Sequence, residues 1–291
     1  MKKIIVLFSL TVCVAAIALF TGCSVNPKTE NNNEYQTYYV SGSDSVGLSG
    51  EMSEFSPWSS KALNGYTDEK AKKSVSVNFE GRDYTGDYSQ TLIRVPNTRA
   101  SHKYFGGNCF FELDSQSGEL TSFLLCEDLT PDFYIDEEEG REIADKFAEK
   151  YINLSQYKVT WSSDDRDIDC VYYFTYYREV GGLKTNDTLN VTLNGRGRVV
   201  YFSRGMIGSF GNTRANIDTE KAELALYEKL NSLYGKYADK TFTIKDKTLV
   251  KLRDGKQGLL YRVETEIVMP SDLEGETVLL CDGIDIIVVE Q

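Results

Sequence analysis

The chain has 291 residues, and its 44 acidic residues outnumber its 32 basic ones, which gives a formal net charge of −12. Such an acidic surface repels nucleic acid and anionic lipid headgroups, so we predict no nucleic-acid partner. The chain has a single histidine and no Cys-x-x-Cys spacing, and we therefore predict no metal site and no cofactor.

The first 23 residues have the pattern of an export signal. Two lysines precede an apolar run over residues 4–20, which leads into Thr-Gly-Cys23. The pattern resembles a bacterial lipoprotein signal, in which cleavage precedes the cysteine and a diacylglycerol is attached to its sulfur. We predict a signal peptide over residues 1–22, lipidation of Cys23, and a location on the extracytoplasmic face of the cell membrane. An ordinary signal peptide or an uncleaved anchor is the alternative.

Residues 23–60 predict a flexible tether. This stretch is polar and low in aliphatic residues, with an asparagine run over residues 31–33, so it buries little apolar area. Its aromatic content is high for a linker, and we expect some of these side chains to dock on the folded part: Tyr35, Tyr38, Tyr39, Phe55 and Trp58.

Strand patterns begin near Ser74, with alternating apolar residues over 75–79 and a short run over 91–95. Two β-rich runs, 108–114 and 119–125, enclose Ser-Gln-Ser-Gly118 and predict a hairpin. His102 precedes this hairpin, and we predict a loop there with the histidine on the surface.

A helix is predicted to begin after Asp136, because this N-cap residue and Glu139 form a capping box. Apolar residues recur at helical spacing as far as Ile152, which predicts a helix end near Asn153. Strands are then predicted at 157–162, 169–180, 187–193 and 197–204, with a turn at Asn194-Gly195.

The order of a helix followed by strands then repeats. Ile217-Asp218 echoes Ile135-Asp136, and five apolar residues give the second helix one buried face: Ala222, Ala225, Leu226, Leu230 and Leu233. Strands are predicted near 241–245, 247–253, 258–268, 277–281 and 285–289. We predict an α+β fold with helices packed on antiparallel β-sheets, as two related helix-plus-sheet modules. Residues 61–210 would hold a β-rich segment and the first module, and residues 211–291 the second.

The strand Tyr172–Tyr177 is rich in aromatic residues. Alternation sends Tyr172, Phe174 and Tyr176 to one face, which we expect to pack under a helix. Tyr173 and Tyr177 point to the other face, where they are candidate ligand-facing residues for a peptide or a glycan. The alternative is that they lie half-buried against a neighbouring strand or module.

The cysteines, the carboxylates and the histidine indicate neither a metal site nor a catalytic site. Four cysteines follow Cys23, and either isolated thiols or a disulfide between Cys109 and Cys126 fits their positions; the others are Cys170 and Cys281. The acidic run 164–169 lacks the glycine and the distal glutamate of a known calcium loop, so we interpret it as a solvated turn. Carboxylates are too plentiful to single out a pair, and no nucleophile turn accompanies His102. We therefore predict no catalytic residues.

Several segments resemble PepSY-like repeats. Residues 111–123 are similar to the strand, Asp-x-x-x-Gly turn and strand of that family, and residues 135–144 to its acidic helix opening. Residues 173–183 and 189–199 resemble the strands and turn that follow. From about residue 105 to 291 the chain resembles a bacterial surface lipoprotein with tandem PepSY or YcdB/YcdC-type repeats. The resemblance implies a non-catalytic module that binds or restrains a peptidase, or that acts in the local environment outside the cell.

We therefore expect a membrane-anchored extracytoplasmic binding or regulatory protein that docks or restrains a secreted peptidase and is not an enzyme. One alternative is the capture of a peptide or a carbohydrate through exposed tyrosines. A second alternative is a carboxylate-based hydrolase, which an open cleft holding two acids would favour.

Overall fold

The computed structural model describes residues 35–42, 67–94, 99–126, 132–164, 170–208, 210–211, 214–252, 256–270 and 277–290. The predicted signal peptide and Cys23 lie outside these ranges, as does the acidic run after Asp164.

Strands dominate the described residues. The strands are β1 (Tyr35–Gly42), β2 (Ser74–Phe79), β3 (Arg82–Arg94), β4 (Arg99–Phe105), β5 (Cys109–Asp114), β6 (Leu120–Leu125), β7 (Lys158–Asp164), β8 (Val171–Val180), β9 (Leu183–Asn194), β10 (Val199–Arg204), β11 (Lys240–Lys251), β12 (Gln257–Pro270) and β13 (Thr277–Glu290). The helices are α1 (Glu137–Ala148) and α2 (Thr219–Tyr234), and a short 3₁₀ turn covers Leu154–Gln156.

All these strands belong to one 13-stranded sheet in the order β1-β13-β12-β11-β9-β10-β6-β5-β4-β3-β2, and β8 and β7 extend from the other side of β9. The pairing of β11 with β9 is parallel, whereas neighbours such as β8 with β9 and β11 with β12 are antiparallel. The sheet is therefore mixed.

The predicted α+β fold, with helices packed on antiparallel sheets in two modules, is wrong. The cause is the length of β9, which begins at Leu183 and not at the predicted residue 187. Its early residues Lys184 and Thr185 pair in parallel with β11, while its later half pairs with β10. One long strand thus joins all the described strands into a single mixed sheet.

The two helices each cover part of this sheet. Asp136 caps α1 by accepting a hydrogen bond from Glu139 N at 2.9 Å, and Asp218 caps α2 by accepting from Glu220 N and Lys221 N. The predicted helix starts and the predicted buried face of α2 are confirmed. Helix α1 ends at Ala148, earlier than predicted, because Asn153 instead caps the 3₁₀ turn.

An aromatic core lies between α1 and the sheet. Phe79 stacks on Phe123 with ring centroids 4.0 Å apart, and Phe202 packs against Phe79 and Phe147. The predicted inward set of β8 is confirmed, since Tyr172, Phe174 and Tyr176 belong to this core. Burial and the hydrogen bond to Asp145 raise the pKa of the Tyr176 hydroxyl, so it stays a neutral donor.

The edge strand β1 comes from the segment predicted as a tether. It pairs antiparallel with β13, from Tyr35 opposite Glu290 to Gly42 opposite Ile284. The flexible-tether prediction therefore does not hold for these eight residues. In the part of the chain that the structure describes, neither helix is long and apolar enough to cross a membrane.

The structure also shows the surroundings of His102 and of the cysteines of the β5–β6 hairpin. His102 lies in β4 and not in a loop, and its Nδ1 is 2.9 Å from the hydroxyl of the buried Thr91. Cys109 is buried in the core, whereas Cys126 is exposed, and both thiols are free. Cys109 pairs with Leu125 across the hairpin, so Cys126 is one residue out of register with it and no disulfide joins them.

Candidate functional site

Among the described residues, no helix lies on the face of the sheet opposite α1, from β4 across to β7, and this face is called the helix-free face. A groove of about 370 Å³ lies on it. The residues that line the groove are Ser101, Glu112, Asp114, Thr121, Ser122, Thr160, Thr175, Tyr177, Lys184, Thr185, Asn186, Thr188, Tyr201, Ser203, Arg204, Gly205, Ile207, Asp246 and Thr248.

The groove lies where the sheet divides along β9. Strand β10 separates from β9 after the pairing of Arg204 with Leu189, and β11 meets β9 only at Lys184 and Thr185. Gly205 closes the gap by donating from its N–H to Thr188 O at 2.8 Å. A Cβ on Gly205 would lie 2.3 Å from Thr188 Oγ1 and 2.4 Å from Asn186 O, so only glycine fits here.

Hydroxyl groups dominate the lining, because eleven of the nineteen lining residues are serine, threonine or tyrosine. Two basic residues, Lys184 and Arg204, are set against three acidic ones, Glu112, Asp114 and Asp246. Ile207 supplies the aliphatic part of the described lining. The groove is therefore polar and nearly balanced in charge.

A line of side-chain hydrogen bonds crosses the sheet beneath the groove. Thr175 Oγ1 donates to Asn190 Oδ1 at 2.9 Å, and Asn190 Nδ2 donates to Ser203 Oγ at 3.2 Å. These contacts join β8, β9 and β10 and hold their polar side chains in place. The floor is thus ordered before any ligand arrives.

The side-chain amide of Asn186 is buried in the lining of the groove. Its side chain is 6% exposed, and its Oδ1 accepts a hydrogen bond from Lys251 N at 3.2 Å. Its Nδ2 is buried and finds no acceptor among the described residues. A buried donor left in this state costs about 1–3 kcal/mol, so an acceptor brought into the groove would stabilise the amide.

Asp187, the residue after Asn186, anchors β9 from the other face of the sheet, at the point where the sheet divides. Asp187 accepts a hydrogen bond from Tyr157 Oη at 2.7 Å and another from Phe210 N at 2.8 Å. Burial, and then this hydrogen bond to Asp187, raise the pKa of the Tyr157 hydroxyl far above its ordinary value. Tyr157 therefore remains a neutral donor and holds the carboxylate in place.

Two acids on β5, Glu112 and Asp114, lie within the groove at 2% and 1% exposure. Asp114 Oδ1 accepts from Gln116 N, Ser117 N and Ser117 Oγ at distances of 2.7 to 3.1 Å. This carboxylate therefore organises the predicted Asp-x-x-x-Gly hairpin turn, in which Gly118 has a φ of +72°.

The rim of the groove combines cations with an aromatic ring. Lys184 Nζ lies 4.8 Å from the centroid of the Tyr177 ring, which is a cation–π distance. Arg204 Nη1 donates to Glu119 Oε2 at 3.1 Å.

The structure separates the two predicted ligand-facing tyrosines. Tyr173 and Tyr177 both lie on the helix-free face, but Tyr177 lines the groove, whereas Tyr173 is 37% exposed outside it. Their contact with a ligand stays a prediction. Tyr201 and Ser203 also line the groove and were missed, although alternation around the buried Phe202 could have found them. No cluster of potential metal ligands occurs within the described ranges.

A family model agrees with the resemblance to YcdB/YcdC-type repeats. Residues 107–205 match the family model of the YcdB, YcdC repeated domain, a range that contains β5 to β10 and α1. Among solved structures, the Bacillus megaterium YpeB C-terminal domain is similar at 15% identity and a TM-score of 0.31, covering 73% of this chain and 90% of that domain. A search of curated proteins gave no match. The resemblance to YcdB/YcdC-type repeats is thus confirmed, and residues 107–205 are the part of the chain that matches this family.

Proposed function

We propose that this protein is an extracytoplasmic binding protein that holds a small polar ligand in the groove on the helix-free face. The observation that carries the proposal is the burial of polar side chains on a sheet face that neither described helix covers. Ser101, Glu112 and Ser122 are 5%, 2% and 6% exposed on this face. An ordinary solvated sheet face exposes its polar side chains.

The size of the groove also supports ligand binding. Its volume of about 370 Å³ lies at the lower end of the range of about 300–1,000 Å³ that is typical of small-molecule sites. The ordered floor formed by Thr175, Asn190 and Ser203 lowers the entropy lost when a ligand binds.

Binding without catalysis is the role that we propose for the two buried acids. A carboxylate-based hydrolase would use Glu112 and Asp114 as a pair, but Asp114 accepts three hydrogen bonds within its own turn. The PepSY-like resemblance supplies no catalytic residue either. If the pair were catalytic, ligand would be consumed by the wild-type protein and spared by Glu112→Gln.

Photo-crosslinking in the native cell envelope tests the groove. A photoreactive residue replaces Ser203 in the groove of one full-length variant and the exposed Ser232 of α2 in a matched control. We expect the Ser203 variant to capture a ligand that the Ser232 variant does not capture. Equal capture from both positions, or capture from neither, would contradict the proposal.

We also propose that Cys23 is lipidated and anchors the protein to the membrane. Support comes from the signal pattern. Strand β1 begins twelve residues after Cys23. Twelve extended residues span at most about 40 Å, so the anchor would hold the sheet near the membrane surface. Cys23→Ser is expected to move the protein from the membrane fraction to the soluble fraction. Retention in the membrane fraction would contradict lipid anchoring.

A secreted peptidase is a second candidate partner, and the outer edge of β7 favours it. Among the described strands β7 pairs with β8 alone, so its other edge can accept a strand from a partner. Trp161 lies on β7 with 43% of its surface exposed, as a binding anchor would.

A peptidase captured from the secreted fraction should lose activity when the full chain is added, and Trp161→Glu should restore that activity. Leu224→Glu provides a matched control, since Leu224 is 39% exposed on α2. An equal effect of both substitutions, or no inhibition by the wild-type chain, would exclude docking at β7.

A further inference from the structure

We infer that the groove takes a neutral oligosaccharide, with an oxygen of the sugar accepting a hydrogen bond from Asn186 Nδ2. This inference rests on the proposed function and names the chemical class of its ligand.

The lining matches the chemistry of sugars. A sugar hydroxyl both donates and accepts, and so do the eleven hydroxyl-bearing residues around the groove. Two basic residues against three acidic ones provide no net attraction for a phosphate or a polyanion. A peptide would need pockets for apolar side chains, but in the described lining Ile207 is the aliphatic residue.

The orientation of the Asn186 amide follows from its neighbour. Lys251 N–H is a donor, so the side-chain atom that faces it must be Oδ1. The NH₂ group is therefore fixed on the other side, buried and without an acceptor in the described residues. A sugar hydroxyl, ring or acetamide oxygen would satisfy it.

Two tyrosines extend the site beyond a single sugar ring. Tyr177 pairs with Thr188 and Tyr201 lies opposite Thr192, so the two tyrosines are four residues apart along β9. Four residues of a strand span about 13 Å. Two tyrosine rings with polar tips at this spacing favour an oligosaccharide over a monosaccharide.

Calorimetric titration of the full chain tests the inference, in a detergent without a sugar headgroup. The probes are neutral tetrasaccharides of glucose, N-acetylglucosamine, mannose and galactose, with tetragalacturonate as the anionic probe and tetra-alanine as the peptide probe. We expect a neutral tetrasaccharide to bind and both comparison probes to fail.

Asn186→Asp keeps the Oδ1 acceptor for Lys251 N and removes the NH₂ donor. We expect this variant to bind the tetrasaccharide about tenfold more weakly, since it loses one hydrogen bond. Asn153→Asp makes the same change at the cap of the 3₁₀ turn, outside the groove, and should bind like the wild type. Tyr177→Ala should weaken binding, and Tyr173→Ala should leave it unchanged. Unaltered thermal unfolding of Asn186→Asp would show that its fold is intact.

Several outcomes would overturn the inference. Preferential binding of tetragalacturonate or tetra-alanine would assign another ligand class, and equal tetrasaccharide affinity in wild type, Asn186→Asp and Tyr177→Ala would place the sugar outside the groove. If no tetrasaccharide binds while the Ser203 crosslinker still captures a ligand, the carbohydrate inference fails and the proposed function stands. If both experiments fail, both proposals fail.

Discussion

The two halves of the sheet are alike on the face that each helix covers and differ on the opposite face. The first half comprises β2–β10 with α1, and the second comprises β1 and β11–β13 with α2. Each half packs an Asp-capped helix on an apolar sheet face. On the opposite face, the first half buries polar residues around a groove, whereas the second exposes Arg262, Glu264 and Glu266 to solvent.

The exposed charges of the second half form ion pairs of the ordinary surface kind. Lys245 Nζ lies 2.6 Å from Glu264 Oε2, and Arg262 Nε lies 3.2 Å from Asp285 Oδ1. Such pairs contribute about 0–1 kcal/mol and need no further explanation. Buried hydroxyl and amide groups are different, because each loses water and must find a partner. The buried polar groups of the first half therefore favour a ligand site there, whereas the exposed ion pairs of the second half do not.

The largest effect is expected in the apolar core of the first half. Phe202 is fully buried and contacts the rings of Phe79, Phe147 and Tyr151. Phe202→Ala should lower the free energy of unfolding by about 3–5 kcal/mol, as measured by urea titration. Phe105 is 48% exposed, and Phe105→Ala should change it far less. Similar losses in both variants would mean that the stacked rings are not the core of this half.

The next largest effect is expected from replacing a glycine in the first half, and a glycine in the second half provides the comparison. Gly205→Ala places a Cβ against Thr188 and the Asn186 carbonyl, and should lower the free energy of unfolding by about 1–3 kcal/mol and abolish ligand binding. Gly283 of β13 has open space around its Cβ position, so Gly283→Ala should preserve both properties. If Gly205→Ala changed neither the free energy of unfolding nor ligand binding, Gly205 would not approach Thr188 and Asn186 as closely as described.

The helix caps should behave alike in the two halves. Asp136→Ala and Asp218→Ala each remove a side chain that accepts from the first turn of a helix, and each should lower the free energy of unfolding by about 1 kcal/mol. Urea titrations of the two variants measure the difference. A loss confined to one of them would show that only one helix contributes to the stability of the sheet.

The smallest effect concerns the charge of the second half. Cys281 is exposed, but desolvation, followed by the charges of Glu266 and Glu264, raises the pKa of its thiol. A smaller fraction of Cys281 is therefore thiolate at pH 8, and alkylation should be slow. Salt should accelerate it by screening the two carboxylates, with Cys126 of the first half as the comparison in the same sample. A rate for Cys281 that does not respond to salt would contradict this charge effect.

Local signals in the sequence predicted the local parts of this structure. The caps at Asp136 and Asp218, the turn from Asp114 to Gly118 and the inward side chains of β8 all depend on neighbouring residues, and all are present. The parallel contact of Lys184 and Thr185 with β11 joins residues more than sixty positions apart, and no local pattern encodes it.

The site was predicted only in part for the same reason. Alternation placed Tyr177 on the helix-free face, but the groove depends on where β10 and β11 leave β9. Thr185 and Asn186 are polar and precede the predicted strand 187–193, so the sequence does not reveal the role of Asn186 without the pairing of β9 with β10 and β11. The interruption predicted after residue 245 is a bulge inside the continuous strand β11.

Fluorine NMR of the full chain is the most direct test of a ligand site in the first half. Single 3-fluorotyrosine labels would be placed at Tyr177 in the groove, at Tyr173 outside it, and at Tyr227 on α2. A soluble extract of the native cell envelope is then added to each labelled protein. We predict a shift of the Tyr177 signal with Tyr173 and Tyr227 unchanged. A shift confined to Tyr173 or Tyr227, or no shift at Tyr177, would contradict the assignment of the groove as the ligand site.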